Sequence, residues 1–322
     1  MNDVFKKLLI IFTMMAILVS CTSPQTVKPN EDIDIRVIVK KQNHDFWAVV
    51  EQGALAAERE FGINVDYVGP ASEEDITGQI RMVEAAIEDK ADAIVLAAID
   101  YNLLVPVAEK ARDAGIPVII IDSNINSDRM LGFVGTDNVH AGRVLGESMV
   151  ESLGTDADIM IVSFVKGAAS SNEREAGLME IIDMYENINL IDTLYCNSDE
   201  EIAKTLTIEA IRQYPEIDAF VCLNAYATVG TARGVIEMGM EGEKKIIGFD
   251  STPEEISYLE KGVIELVVVQ NPFSMGYLGV KYALDAVRGI TVPKSVNTGA
   301  VVITKDNMYD PENQKLVFPF VD

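Results

Sequence analysis

Short apolar runs alternate with helix-patterned segments along nearly the whole chain, and this alternation constrains the fold more than any other feature. IDIRVIVK, INVDYV, ADAIVLAAI, IPVIIID and MLGFVGTDN come first, followed by ADIMIVSF, NINLIDTLY, DAFVCL, KKIIGFD, GVIELVVVQ and AVVIT. Their apolar stretches are short and mostly unbroken by polar residues, as strands buried on both faces of a parallel sheet are. Between them lie segments such as FWAVVEQGALAAEREF, where Trp47, Val50, Ala54, Ala57 and Phe61 recur at spacings of three and four, the stripe of an amphipathic helix. Further helices are predicted over His140 to Leu153, after Ser171, up to about Tyr214, over Ala225 to Met238, after Pro253 and over Phe273 to Arg288. So many units exceed one doubly wound sheet, and an α/β protein of two lobes is expected. Two weak echoes, AGIPVIIIDS with KKIIGFDST and ADAIVLAA with IDAFVCLN, fit duplicated lobes and equally the general monotony of α/β sequences.

The first residues read differently. Lys6 and Lys7 precede an apolar run from Leu8 to Val19 that stops at Leu18-Val19-Ser20-Cys21. That is a secretory signal peptide over 1–20, too short to span a bilayer as a mature helix. Small residues before a cysteine resemble the lipobox of bacterial lipoproteins, which implies cleavage before Cys21 and a lipid on its thiol. Residues 21–33 are polar with two prolines, a flexible linker between anchor and domain.

Asp and Glu number 51 against 26 Lys and Arg, a formal net charge of −25. Nucleic acid is excluded as a partner, because neutralising phosphates needs a basic face. Only Cys196 and Cys222 remain beyond Cys21. Their spacing matches no zinc motif, and two buried free thiols are favoured over a disulfide. With only His44 and His140, a histidine-rich metal site is excluded.

In open parallel sheets ligands bind beyond the carboxyl ends of the strands. His44, Asp45, Phe46 and Trp47 follow the first strand, and Asp122, Ser123 and Asn124 follow IPVIII. Arg174 stands near the helix after ADIMIVSF, Asn224 follows DAFVCL, Asp250 follows KKIIGF, and Gln270 ends VIELVVV. Carboxylates accept from pairs of hydroxyls, a guanidinium donates in a fork, amides do either, and aromatic faces cover the C–H face of a sugar ring. Each residue also has an ordinary structural reading. Asp45 is a candidate helix N-cap, Trp47 lies on the core stripe, Asp122 and Asp250 suit turns, and Arg174 suits a solvated helix face. Enzyme chemistry finds less support: no glycine-rich fingerprint follows the first strand, and neither a phosphate loop nor a GxSxG elbow is present.

The segments QNHDFWAVVEQGALAAERE, GIPVIIIDS, GTDNVHAG, NEREAGL, IIGFDSTPEE and VVVQNPFSMGYLGV resemble the ribose- and galactose-binding group of type I periplasmic binding proteins, from about Ile35 to Thr304. The resemblance implies two Rossmann-like lobes with parallel sheets, 34–136 plus 271–296 and 137–270 plus 297–322. Three crossings join them near Gly135 to Asp137, near Gln270 and Asn271, and near Val296. It implies a monomer without cofactor that carries a monosaccharide or related polyol to an ABC permease, the alternative being a receptor that signals to a membrane histidine kinase. A sugar hydrolase is a third reading, distinguished by product formation. The family's ligand positions map onto His44, Phe46, Trp47, Asp122, Ser123, Arg174, Asn224, Asp250 and Gln270. Three departures stand out: His44 replaces Asn, Ser123 replaces an Arg, and Asn197 and Ser198 stand where the second lobe usually brings an aromatic. One-sided stacking is the expectation, and a ligand-facing His44 would couple binding to pH near neutrality.

Overall fold

The computed structural model describes residues 28–318. The signal peptide, Cys21 and the start of the linker lie outside the described residues. The first lobe opens with β1 Asp34–Ile38, α1 Asp45–Phe61, β2 Asn64–Val68, α2 Ile76–Glu88, β3 Ala93–Leu96, α3 Val105–Asp113, β4 Val118–Ile121 and β5 Gly132–Gly135. The chain then crosses to α4 Asn138–Leu153, β6 Asp156–Ser163, α5 Ala169–Ile182, β7 Asn187–Tyr195, α6 Glu200–Gln213 and β8 Ala219–Cys222. The same lobe continues with α7 Ala225–Met238, β9 Lys245–Phe249, α8 Pro253–Lys261 and β10 Leu266–Gln270. A return to the first lobe gives α9 Pro272–Val287 and β11 Ser295–Asn297, and a third crossing gives β12 Ala300–Thr304 and the short α10 Gln314–Val317.

Two six-stranded sheets result, ordered β11-β5-β4-β3-β1-β2 and β12-β10-β9-β8-β6-β7. Their strands pair in parallel, except that β12 runs antiparallel to β10. The unalternating strand sequences follow from what covers each face. Ile35, Val37, Val95, Ile119 and Ile121 pack in one apolar cluster with residues of α1 and α9. Ile38, Ile94, Leu96, Val118 and Ile120 point to the other face and pack with residues of α2 and α3. Side chains alternate between two dry faces, so both parities must be apolar. β11 escaped the sequence reading because it is a three-residue edge strand whose side chains are exposed or half-buried, so it carries no apolar run. Residues 28–33, expected as the end of a flexible stalk, lie against the first lobe instead. Asn30 donates to the Phe61 carbonyl at 2.8 Å, accepts from Arg288 at 2.8 Å, and leads into the buried Ile33. Among the described residues no helix is long and apolar enough to cross a membrane.

α1 and α9 cross through paired glycines. A Cβ built on Gly53 would stand 2.0 Å from the Phe273 carbonyl oxygen, and one on Gly276 would stand 1.9 Å from that of Val50. The second lobe repeats the device where α4 meets α5, with Gly142 against the Arg174 carbonyl and Gly177 against that of Val139. These contacts are backbone to backbone and cannot yield by rotating a side chain. Gly276→Ala is therefore expected to destabilise the protein by about 1–3 kcal/mol through overpacking, although alanine inside a helix normally stabilises by about 0.5–1 kcal/mol. A thermal melt that shows an unchanged or higher midpoint for this variant would refute the close crossing.

Candidate functional site

At the ends of β4 and β9 the backbone makes the same unusual turn. Asp122 and Asp250 both adopt left-handed φ, 58° and 81°, and the amide of each donates to a neighbouring strand, to Val134 and Val268 respectively. The turn aims both carboxylates into the space between the lobes, and both are buried, at 3% and 6% exposure. The strand–Asp–Ser echo in the sequence is thus a structural repeat.

Asp250 is fully engaged. One oxygen accepts from Gln270 Nε2 at 2.8 Å and the other from the backbone N–H of Ala225 at 3.0 Å, at the start of α7. Burial raises its pKa, partly opposed by the Arg174 charge and these hydrogen bonds. Gln270 in turn accepts from Thr136 Oγ1 at 2.8 Å, so the hinge is wired to the site. Arg174, 2% exposed, is oriented by Nε donating to Asn138 and Nη1 donating to the Leu223 carbonyl, with its guanidinium carbon 3.9 Å from the Phe249 ring centroid. Burial lowers its pKa. Asn224 caps α7 through Oδ1 to the Ala227 amide, leaving its NH2 to donate to Ser198 Oγ at 3.3 Å.

Eight of the nine predicted site residues line one interlobe pocket. They are His44, Phe46, Trp47 and Asp122 from the first lobe, with Arg174, Asn224, Asp250 and Gln270 from β10 and the second. Ser123 is the exception. It is fully buried beside Asp122, its hydroxyl accepting from the Ser170 amide at 3.4 Å, and it does not reach the lining. A serine is too short to replace the arginine of the family pattern.

Several lining residues were missed. Lys40, the charge that ends the first apolar run, forms a buried ion pair with Asp122 at 2.9 Å. Its position at a strand end was a visible cue. Glu73, from the loop before α2, accepts from Trp47 Nε1 at 3.2 Å and from Ser198 Oγ at 2.8 Å. No local pattern marks it, because its partners are distant in sequence. Tyr226 lies in the first turn of a helix buried on nearly every side, where periodicity carries no information.

The second lobe does bring aromatics, Phe164 from the end of β6 and Tyr226 from α7, rather than from Asn197 and Ser198. The rings of Tyr226 and His44 stack at 3.8 Å between centroids, tilted 27°. Asn197 and Ser198, both with φ of 53°, instead tie the lobes together: Asn197 donates to Glu74, and Ser198 to Glu73, each at 2.8 Å. Lys41 adds a contact to the Ser198 carbonyl at 3.4 Å. Both thiols are buried and unpaired, and burial pushes Cys196 up to about 12.

His44, rather than Asp45, caps α1, its Nδ1 accepting from the Phe46 amide at 3.3 Å. Burial, aided by the nearby Lys41, lowers its pKa to about 3. It is therefore neutral near pH 7 in this structure.

Two α/β lobes joined by three strands and closed over a buried polar pocket define a type I periplasmic binding protein. The chain belongs to the periplasmic binding protein domain family, whose model matches residues 35–291. It is 27% identical over 275 residues to the D-ribose/D-allose-binding protein of Pseudomonas aeruginosa, covering 83% of this chain and 86% of that one. It superimposes with a TM-score of 0.86 on an ABC transporter solute binding protein from Agrobacterium vitis with bound D-fucose, at 33% identity, covering 88% of this chain and 100% of that one. A sugar transporter from Clostridium phytofermentans gives a TM-score of 0.78 at 36% identity, covering 84% and 99%.

A depressed histidine pKa contributes stability that is present above the unfolded value of 6.5 and is lost as pH falls from there toward 3. Wild-type stability is expected to fall below pH 6.5 by up to about 1.4 kcal/mol per pH unit more than that of His44→Asn. Parallel unfolding titrations at pH 5 to 7 measure the difference, and equal slopes would show that His44 titrates freely in the folded protein.

Proposed function

We propose that this protein is the solute-binding component of an ABC importer and captures a monosaccharide or related polyol between its lobes. The observation that carries the reading is the composition of the interlobe pocket, in which hydrogen-bonding groups from both lobes converge beside aromatic faces. Phe46 and Trp47 supply apolar ring surface, while Arg174, Asn224, Asp250 and Gln270 supply oriented donors and acceptors. Charge disfavours an anionic ligand. Glu73, Asp122 and Asp250 outnumber Lys40 and Arg174 in the lining, so an anionic ligand would add like charge to a buried acidic site. The named relatives, which include D-ribose/D-allose-binding and D-fucose-bound proteins, support the same class.

In this reading residues 34–136 with 271–297 form one lobe, one residue beyond the expected bound because Asn297 ends β11, 137–270 with 298–318 form the other, and they close about the three crossings as a hinge. The expected signal peptide over 1–20 and lipid on Cys21 support a mature chain held outside the cytoplasm at the membrane, where it delivers ligand to the permease as a monomer. Two acyl chains suffice for a stable tether, since each buried methylene contributes about 0.8 kcal/mol.

The test is a thermal-shift screen of the domain lacking Cys21 against pentoses, hexoses, sugar acids and polyols. A cognate sugar at a hundredfold excess over its Kd stabilises the folded state by about 2.7 kcal/mol. Asp250→Ala and Arg174→Ala each remove a charge-assisted donor or acceptor contributing about 1.5–3 kcal/mol, so the shift is expected to collapse in both. No shift with any member of the panel, or a shift retained in both variants, would overturn the proposal.

A further inference from the structure

Four buried side-chain oxygens among the described residues have no hydrogen-bond partner: Asp122 Oδ2, Tyr226 Oη, Glu255 Oε1 and Thr298 Oγ1. Two of these residues, Asp122 and Tyr226, line the interlobe pocket. The Asp122 oxygen has the Lys40 ammonium 2.9 Å away as an ionic partner. That leaves the Tyr226 hydroxyl as the lining's unanswered polar atom.

We infer that Tyr226 is a specificity-determining residue, whose hydroxyl bonds an oxygen of the bound ligand while its ring is clamped against His44. The inference rests on the sugar-binding reading above. Tyr226 is 5% exposed, and its ring is fixed by the His44 stack and by the Lys41 ammonium 4.4 Å from its centroid. A second-lobe ring held by these two first-lobe groups cannot swing its hydroxyl out to water without opening the cleft. A buried hydroxyl without a partner is unfavourable, so a residue chosen only for its ring would be phenylalanine. Tyrosine here makes chemical sense if the ligand presents an oxygen to it. Burial and nearby carboxylates, Glu73 first among them, raise its pKa, so the phenol stays protonated and serves as a donor.

This assignment changes the expected ligand. In the family pattern the second lobe stacks an aromatic face on the sugar ring. Here Tyr226 turns its ring face to His44 and its edge, with the hydroxyl, to the ligand, while Phe164 is the second lobe's other aromatic in the lining. The ligand therefore presents apolar surface to Phe46, Trp47 and Phe164 and an oxygen to Tyr226.

Tyr226→Phe keeps the ring, the stack and the volume, so it separates the two roles. Calorimetric titration of the full chain with the sugar found in the thermal screen, and with its singly deoxygenated analogues, reads the contact. The variant is expected to bind the parent sugar about tenfold more weakly, equivalent to about 1.4 kcal/mol. It should also become indifferent to one deoxygenated position at which the wild type loses a similar factor, the non-additivity of two partners in contact. Its ligand-free melting temperature is expected to stay level or rise, since an unanswered polar group is removed. If the variant binds the parent as tightly as the wild type, or ranks every analogue as the wild type does, the inference fails and Tyr226 only packs. If the wild type binds no sugar at all, the sugar-binding reading fails and this inference fails with it.

Discussion

The chain of hydrogen bonds Thr136–Gln270–Asp250 is the interaction on which the cleft depends. Thr136 lies on the first crossing, and its hydroxyl is 2.8 Å from Gln270 on the second and 3.4 Å from the Gly299 carbonyl on the third. Gln270 then donates to Asp250, which also accepts from the first amide of α7. Each member is buried, and a buried polar group that loses its partner is destabilised by about 1–3 kcal/mol. A carboxylate that lines the cleft is thereby held by the strands that join the lobes. The cleft lining and the crossings are two ends of one short network, and such a network has few satisfied arrangements.

The architecture was legible because parallel sheets covered on both faces demand uninterrupted apolar strands, and this chain supplies them from Ile35 to Ile303. What the sequence obscured has physical reasons. β11 has no dry face to fill, so its three residues follow no pattern. The strand-end rule located Asp122, Arg174, Asn224, Asp250 and Gln270, since in this topology the carboxyl ends of both sheets meet at the cleft. It misjudged Ser123, which has the right position but too short a reach. It missed Glu73 because that residue enters from a loop, and Tyr226 because a helix buried all round has no polar face against which an inward residue stands out. Where Asn197 and Ser198 lack the second-lobe aromatic, the sequence revealed the departure but not its replacement, which comes from an element beginning 27 residues beyond Ser198 in the chain.

That replacement alters how the cleft is held shut. An aromatic from the second lobe that stacks on a sugar stabilises the closed form only when sugar is there. The contacts made here, Ser198 with Glu73, Asn197 with Glu74 and Tyr226 with His44, join the lobes directly. Each ordinary hydrogen bond is worth about 0.5–1.5 kcal/mol net, so together they offset part of the free energy of bringing the lobes together. A ligand shifts such an equilibrium only by its differential affinity for the closed state. Direct interlobe contacts therefore reduce the differential affinity needed for closure, and they raise the affinity of a ligand that fits the closed pocket.

The same contacts restrict what can fit. Glu73 is occupied on both oxygens, by Trp47 and by Ser198, and Asn224 is spent on one side as the cap of α7. Asp250 accepts from two protein donors before any ligand arrives. Much of the lining's polarity thus maintains the protein's own geometry, and the rigid, glycine-packed helix pairs behind it keep the lobes from remodelling around a poor fit. Discrimination falls to the few groups with hydrogen-bonding capacity left over, in an acidic setting that disfavours anions. A small neutral molecule with one apolar face and hydroxyls around its edge satisfies that combination.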